Sequence, residues 1–379
     1  MARFLAITSR GLLEPLGAEL KDLGIRNLRV RPDAVEFDGS WADLYRLHLH
    51  SRIASRFLLP VSDFMAQNED DLYYGVLRKH DFTKYISVDQ TMRVETHLRE
   101  HKRLTDQRYA TLKVKDALAD QFFAKFDRRP DVGDEEQADL RVVVRIVGPE
   151  VSLALDLTGE TLSSRGYRQY AGLAPLRESV AAGLLRLSGW QAPRPLVDPF
   201  CGSGTILIEA ALSMAGPSLS KRPRPFAFER LANFQAEVYA KVRAGIERKA
   251  APLKPFLFGY DKDGQVIDKA RANARAAGVE SWIRFEQADA RELKAPAVDE
   301  PGTLITNPPY GERLEDLTDV KALMNDFSHT LKHGFRGWDA WLLSGNPEAS
   351  AALRLKAVRK APVWNGPIEC RFLNYPISQ

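Results

Sequence analysis

An α/β chain is predicted, with an open, mainly parallel sheet over residues 166–379 preceded by two smaller α+β units. Three observations predict it. In the C-terminal part, near-continuous apolar runs of strand length alternate with helical stretches, as a sheet buried on both faces requires. One of these runs passes through a glycine turn directly into an apolar helix. The chain has 379 residues, more than one core usually holds, so two or three domains are expected.

Taken in order, Arg3 to Thr8 and Leu28 to Phe37 read as strands, and Glu14 to Leu23 and Trp41 to Leu49 as amphipathic helices. Arg52 to Pro60 reads as a further strand, and a first unit of residues 1–64 closes there. A second unit, 65–165, opens on the acidic stretch to Asp71. Ile86 to Val88 and Met92 to Thr96 are strand-like. Thr105 is placed to cap a helix whose apolar stripe is Ala110, Val114, Leu118, Phe122 and Phe126. Asp131 to Asp139 reads as a loop. Leu140 to Val147 and Val151 to Leu157 flank Gly148-Pro149-Glu150 as a hairpin. Polar, basic Thr161 to Arg168 fits a linker into residues 166–379. There the candidate strands are Pro195 to Val197, Phe256 to Gly259, Trp282 to Phe285, Thr303 to Thr306 and Ala340 to Ser344. Proline-rich Ala215 to Phe226 and basic Lys241 to Lys254 form an insertion after the first helix of this part.

Hydrophobic residues make up 44% and charged residues 27%, a globular composition, and no apolar stretch of about 18 residues could span a bilayer. The first residues turn polar too soon for a signal peptide. Two cysteines, Cys201 and Cys370, suggest neither a disulfide framework nor a zinc site, and seven histidines show no metal-binding spacing. A cytoplasmic protein without a metal or a membrane partner is expected. Net charge is +4, compatible with an anionic partner without requiring one. Local basic runs add to that: Lys84 to Lys115 holds eight Lys or Arg against four Asp or Glu. Each run taken alone also fits a solvated surface.

Chemistry concentrates in four places. "LVDPFCGSGTILIEAAL", Leu196 to Leu212, is a strand, a turn through Gly202-Ser203-Gly204, and a helix beginning at Thr205. Glycines permit close approach of a ligand to the backbone, and Asp198 sits at the carboxyl end of the strand, where open α/β sheets bind ligands. Asp261 in "LFGYDKD" ends the next strand, much farther along the chain than the about 20 residues of a dinucleotide site. It is suited to hold ribose hydroxyls, and Asp289 in "IRFEQADARE" to accept from an adenine amine. Three strands ending in Asp, the first followed by a glycine turn, describe a site for an adenosine with a zwitterionic tail. This points to S-adenosylmethionine more than to NAD or ATP.

The fourth place is "TNPPYGER". Two prolines after Asn307 force a stiff, extended exit from the strand. The Asn307 amide oxygen and the Pro308 carbonyl can accept both hydrogens of a ring amine and direct its lone pair outward. Pro309 stiffens the turn, and Tyr310 can stack on an unpaired base for about 1 to 3 kcal/mol. Cys201 reads as a small buried residue, since partners for nucleophilic catalysis are missing.

DPFCGSGT, GYDKD, QAD and NPPYGERL, in this order, resemble the class I methyltransferases that act on amino groups. With "SSRGYR", "APLRESVAAGLL", "PFAFERLANF" and "NGPIECRFLNY", nearly the whole chain is similar to the THUMP-containing RNA guanine-N2 methyltransferases, and above all to the family acting on bacterial 23S ribosomal RNA. The chain resembles the N-terminal methyltransferase half of two-enzyme members, in stand-alone form. The resemblance implies a Rossmann-like class I methyltransferase sheet over 166–379, a ferredoxin-like domain over 1–64 and an RNA-binding THUMP domain over 65–165. It implies S-adenosylmethionine as cofactor, bound by Asp198, Phe200, Gly202, Gly204, Thr205, Asp261, Lys262, Asp289, Ala290 and Asn307. Asn307, Pro308, Pro309 and Tyr310 would take the target base, and Arg165 and Arg168 RNA phosphates. The partner implied is 23S ribosomal RNA or a ribosomal precursor particle. A tRNA guanine-N2 methyltransferase, a DNA adenine-N6 methyltransferase and a non-catalytic RNA-binding assembly factor stay open beside that reading.

Overall fold

The structure is a computed structural model describing residues 1–134, 137–169, 176–216, 225–246, 249, 256–309 and 314–378. Its N-terminal part runs β1 (Ala2–Ile7), α1 (Leu13–Asp22), β2 (Leu28–Val30), β3 (Val35–Gly39), α2 (Trp41–His50), β4 (Arg56–Met65), α3 (Glu69–Lys79), β5 (Thr91–Arg99), α4 (Gln107–Phe126), β6 (Asp131–Val132), β7 (Leu140–Val147) and β8 (Glu150–Asp156). These eight strands form one sheet in the order β2-β3-β1-β4-β8-β7-β5-β6. Strand β4 joins the two α+β units. Its first residues pair with β1, Ile7 opposite Arg56, and Leu58 to Met65 pair with β8 through a register shift between Pro60 and Ser62. The sheet is therefore continuous across residues 64 and 65.

Several local expectations are corrected here. Leu28 to Phe37 is two strands, since Pro32-Asp33 turns the chain and the Arg31 amide donates to Ala34. The strand expected from Arg52 begins at Arg56. The residues before it are held instead by the Glu19 carboxylate, which accepts from Ser51 Oγ (2.6 Å), the Arg52 amide (2.9 Å) and the Ile53 amide (3.2 Å). Ile86 to Val88 makes no strand. The long helix is capped by Asp106, not Thr105, with the Asp106 carboxylate accepting from the amides of Arg108 and Tyr109. Its stripe is buried from Ala110 to Phe122, but Phe126 is exposed: a four-residue step overshoots 3.6 per turn by about 40° each time, enough to carry the last member off the core face. Asp131 and Val132, expected in a loop, form a short strand beside β5.

The C-terminal part runs α5 (Glu178–Ser188), β9 (Leu196–Asp198), α6 (Thr205–Ala215), α7 (Ala236–Ala244), β10 (Leu257–Asp261), α8 (Gly264–Ala277), β11 (Ile283–Gln287), β12 (Thr303–Thr306), α9 (Leu314–Gly334), β13 (Asp339–Ser344), α10 (Pro347–Ala351), β14 (Arg359–Asn365) and β15 (Ile368–Pro376). The sheet order is β11-β10-β9-β12-β13-β15-β14. The first five strands are parallel; β15 and β14 add an antiparallel edge. That edge was not predicted. Pro362 argues against a central strand and is tolerated on an edge, and β15 alternates over Ile368 to Phe372 where its parallel neighbour β13 is a nearly continuous buried run. Side chains such as Leu196 and Ile305 pack on one side, in a core continuous with the N-terminal part. Val197, Phe258, Leu304 and Phe327 pack on the other.

Part of the insertion after α6 has a visible structural task. Phe228, Phe234 and Tyr239 pack around Tyr45 of α2, with ring centroids 4.7, 5.9 and 5.4 Å away, and the Gln235 amide donates to the Tyr45 hydroxyl. Phe226 and Phe228 lie against His48, and the Phe228 amide donates to the Leu157 carbonyl. Residues inserted in the C-terminal sheet thus clamp the N-terminal one. Among the described residues no helix is long and apolar enough to cross a membrane.

Candidate active site

Strand order reverses at β9. The chain leaves it toward β10 on one side and returns as β12 on the other, and the crevice outside the carboxyl ends at such a switch point is where open α/β sheets take ligands. Register places the predicted carboxylates there. Asp198 ends β9, Asp261 ends β10, and Asp289 follows the end of β11 by two residues, with Asp261 opposite Gln287.

Asp198 is only 1% exposed. Its Oδ1 accepts from Thr306 Oγ1 at 2.6 Å and from the Phe200 amide at 3.2 Å. Burial pushes its pKa up to about 7, against the pull of those two bonds. Asp261 accepts from the Gly202 amide (3.2 Å) and the Asp263 amide (3.1 Å), which ties the glycine turn to the neighbouring strand. Gly202 and Gly204 have φ of +52° and +83°, in the left-handed region. A Cβ on Gly204 would also meet Phe285 Cζ at 3.0 Å. Gly204 precedes the first turn of α6, which has no side-chain cap. Ser203 Oγ lies 3.2 Å from Thr205 Oγ1, and the Ser203 carbonyl accepts from Asn273 Nδ2. The Cys201 thiol is buried and pushed well above its ordinary range, first by burial and then by the two aspartates, so it stays neutral.

Farther along the sheet end, Asp289 is held by Arg291, whose Nη2 lies 2.6 Å from Oδ2 and whose amide lies 2.9 Å from Oδ1. This side-chain bond lowers the Asp289 pKa, and lone pairs remain for a further donor. Ala290 is buried. Lys262 is exposed, and its carbonyl accepts from Gln287. Phe200 packs edge-on against Phe327 at 5.1 Å, which fixes the turn over the second core.

On the other side of β9, β12 ends at Thr306 and the chain leaves as irregular backbone through Asn307, Pro308 and Pro309. Asn307 is half-buried, Pro308 buried and Pro309 exposed. Tyr310 lies outside the described residues. Asn307 directly follows Thr306, whose side chain is bonded to Asp198, so the loop starts beside the glycine turn.

Arg165 and Arg168 are not the open phosphate contacts expected of a linker. Arg165 points inward: Nε lies 3.1 Å from Glu209 Oε1, Nη2 donates to Glu209 and to the Arg52 carbonyl, and Nη1 to the Leu162 carbonyl. Glu209, fully buried in α6, also takes Arg52 at 3.6 Å and the Tyr167 hydroxyl at 3.2 Å. A buried carboxylate in an apolar helix needs such partners, and the arginines supply them. Arg168 donates from Nε to Glu178 (2.9 Å), and from Nη2 to the Leu176 carbonyl (2.7 Å) and Thr205 Oγ1 (3.2 Å). Sequence reasoning passed over Thr306, Glu209 and Asn273. Glu209 carried a usable signal, a lone acid within "TILIEAAL"; the other two carried none.

Residues 165–374 match the model of the RMKL-like methyltransferase domain, residues 3–58 that of an RlmL ferredoxin-like domain, and residues 66–156 that of a THUMP domain. The chain is 39% identical over 383 aligned residues to ribosomal RNA large subunit methyltransferase K/L of Aliivibrio fischeri ES114, and equally to that of strain MJ11. The match covers 100% of this chain and 54% of each relative, so the chain spans about half their length. Among solved structures it is similar to SMU.472, solved in complex with SAH (TM-score 0.85, 27% identity, 100% of this chain and 98% of that one). A possible methylase from Clostridium difficile 630 matches at TM-score 0.87 and 30% identity, over 100% and 98%. A protein from Listeria monocytogenes named for N6-adenine-specific DNA methylation matches at 0.85 and 28%, over 99% and 96%.

Proposed function

The chain belongs to the family of RMKL-like methyltransferase domains, and from that premise we propose that it methylates the exocyclic N2 of a guanosine in 23S ribosomal RNA with S-adenosylmethionine as donor. The single observation that carries this reading is the placement of Asn307 and Pro308 next to the carboxylate-lined strand ends, through the bond between Thr306 and Asp198. The Aliivibrio relatives are named for large-subunit ribosomal RNA methylation, which favours that RNA over tRNA or DNA. The division into a ferredoxin-like unit (1–64), a THUMP unit (65–165) and a methyltransferase unit (166–379) belongs to the same proposal, with RNA gripped by the first two.

When bound, S-adenosylmethionine supplies a methyl carbon activated by the attached sulfonium. The residues fit it: carboxylates at successive strand ends match an adenosine with a cationic tail, and the glycine turn leaves room for its backbone approach. Asp261 holds the ribose hydroxyls and Asp289 accepts from the adenine amine. On the other side, the Asn307 side-chain oxygen and the Pro308 carbonyl accept the two hydrogens of the guanine amine, whose lone pair is otherwise delocalised into the ring. So held, the nitrogen turns its lone pair toward the methyl carbon. No strong base would be required: as the C–N bond forms the C–S bond of the sulfonium would break, S-adenosylhomocysteine would be the leaving group, and the acidified N2 proton would then pass to water. Most of the acceleration comes from position. A guanine inside structured RNA must first be splayed out to reach this loop, where Tyr310 would stack on it.

The test is to incubate the purified protein and labelled S-adenosylmethionine with undermethylated large-subunit RNA, tRNA and duplex DNA, then digest to nucleosides. N2-methylguanosine from the large-subunit RNA is expected. N6-methyladenosine from DNA, or N2-methylguanosine from tRNA alone, would replace this reading with one of its alternatives.

A further inference from the structure

We infer that the seam between the two halves of the chain holds a phosphate of the substrate RNA between Arg56 and Arg177, an assignment that rests on the RNA-methylation reading above. A cavity of about 680 Å³ opens at this seam, walled by the loop after β1, the start of β4, residues 161–168 and the start of α5. Of its fourteen described lining residues, seven carry hydroxyls and four are arginines, with Glu178 the one acid and Leu176 the one apolar side chain. Such walls give a nucleobase nothing to stack on. They suit the charged backbone of a nucleic acid instead.

Each wall supplies open donors. On the N-terminal side, Arg56 Nη1 is taken by Asp156 and the Gly159 carbonyl. Its Nε and Nη2 have no acceptor among the described residues, in a side chain 27% exposed, and neither nitrogen is sealed from water. The Ser9 hydroxyl on the same wall also has no partner among the described residues. On the C-terminal side, Arg177 directly precedes α5 and is exposed, and its guanidinium has no acidic partner among the described residues. Its backbone is fixed, since its amide donates to Asn365 Oδ1 at 3.2 Å. Its side chain rests on the turn between β14 and β15, where a Cβ on Gly366 would lie 3.5 Å from Nη2. A phosphodiester has two unesterified oxygens, and a planar guanidinium from each wall matches them.

The cavity stands beside the candidate active site without being part of it. None of Asp198, Gly202, Gly204 and Thr205 lines it. Arg168 does, and it donates both to Glu178 at the start of α5 and to Thr205 at the start of α6, so a single side chain parts the cavity from the glycine turn. A strand that sends one base to the Asn307 loop carries its backbone over this end of the sheet, and a neighbouring phosphate then meets both arginines. The other two lining arginines are already committed, Arg165 to Glu209 and Arg168 to Glu178.

The salt dependence of RNA binding separates this role from a structural one. Undermethylated large-subunit RNA is titrated at several salt concentrations with wild type, Arg177→Gln and Arg56→Lys, and S-adenosylhomocysteine affinity is measured in parallel by calorimetry. Arg177→Gln is expected to weaken RNA binding about 5- to 20-fold and to lower the slope of log affinity on log salt by about 0.7 to 1, the share of one phosphate. Arg56→Lys keeps a cation beside Asp156 but gives up the free Nε and Nη2, and is expected to weaken RNA binding about threefold with little change of slope. S-adenosylhomocysteine should stay within about twofold in both variants. Unchanged RNA affinity in either variant overturns the inference alone. So does a weaker Arg177→Gln complex with the wild-type slope, or a parallel fall for S-adenosylhomocysteine, which marks a damaged fold. Wild type that forms no N2-methylguanosine on this RNA removes the reading above, and this assignment with it.

Discussion

Thr306 donates its hydroxyl hydrogen to Asp198 Oδ1 at 2.6 Å, so the last residues of two adjacent strands, one leading into the glycine turn and the other into Asn307, are fastened to each other. Thr306→Val keeps the shape and removes the bond. We expect turnover to fall about tenfold, the worth of one buried hydrogen bond, with Thr306→Ser restoring most of it. Loss of this bond also removes one of the two influences that lower the Asp198 pKa, so the acid limb of the pH–rate profile should move to higher pH. An unmoved profile in Thr306→Val would show that the tie does not reach the chemistry.

Asp198 predicts a pH dependence of stability. Burial raises its folded pKa to about 7 from an ordinary 3.8. Between those values the folded chain keeps a proton that the unfolded chain releases. The contribution of this group is therefore full at low pH and is lost as pH rises from about 4 to about 7. Its two hydrogen bonds both go to Oδ1, so Asp198→Asn can retain them while removing the titration. Relative to wild type, that variant should gain about 2 to 4 kcal/mol between pH 5 and pH 8 in urea denaturation. A constant difference across that range is the contrary result.

Asn307→Ala should slow methyl transfer by about 10² to 10³ even with cofactor saturating, the usual effect of removing one polar group aligned on a reacting centre. Single-turnover measurement at saturating cofactor reads the chemical step directly, and wild-type rates there would refute the assigned role.

Asp261→Ala should act in the opposite sense. It removes the acceptor for the Gly202 and Asp263 amides as well as for the ribose, so cofactor affinity should fall by about 10- to 100-fold. Calorimetric titration decides the matter, with unchanged binding as the adverse outcome.

Glu209→Ala should destabilise the fold by about 3 to 5 kcal/mol, because it leaves Arg52 and Arg165 buried without their carboxylate. Chemical denaturation reads this, and a loss under about 1 kcal/mol would mean that water takes over the acid's place.

Much of this site could be seen in the sequence because each part obeys a local rule. An apolar run ending in Asp announces the carboxyl end of a buried strand, and glycine and proline mark where the backbone must turn or stiffen. Asp198, Asp261, Asp289 and Asn307 are found on one end of the sheet for that reason. What stayed hidden depends on pairs distant in sequence. Thr306 is an ordinary residue in a strand until its partner, Asp198, is beside it. Arg165, in a polar run bearing glycine, looks like surface until Glu209 appears behind it. The β14 and β15 edge was hidden by Pro362 and by an alternating pattern unlike that of its parallel neighbours.

The aromatic rings of the insertion that close on Tyr45 and His48 have a wider effect. They come from inside the C-terminal sheet yet are buried against the front of the molecule, and that front is itself one unbroken sheet. Such a body works as a caliper more than as two hands on a string. On the proposed reading, an RNA held by the front half would meet the methyl donor at a fixed span.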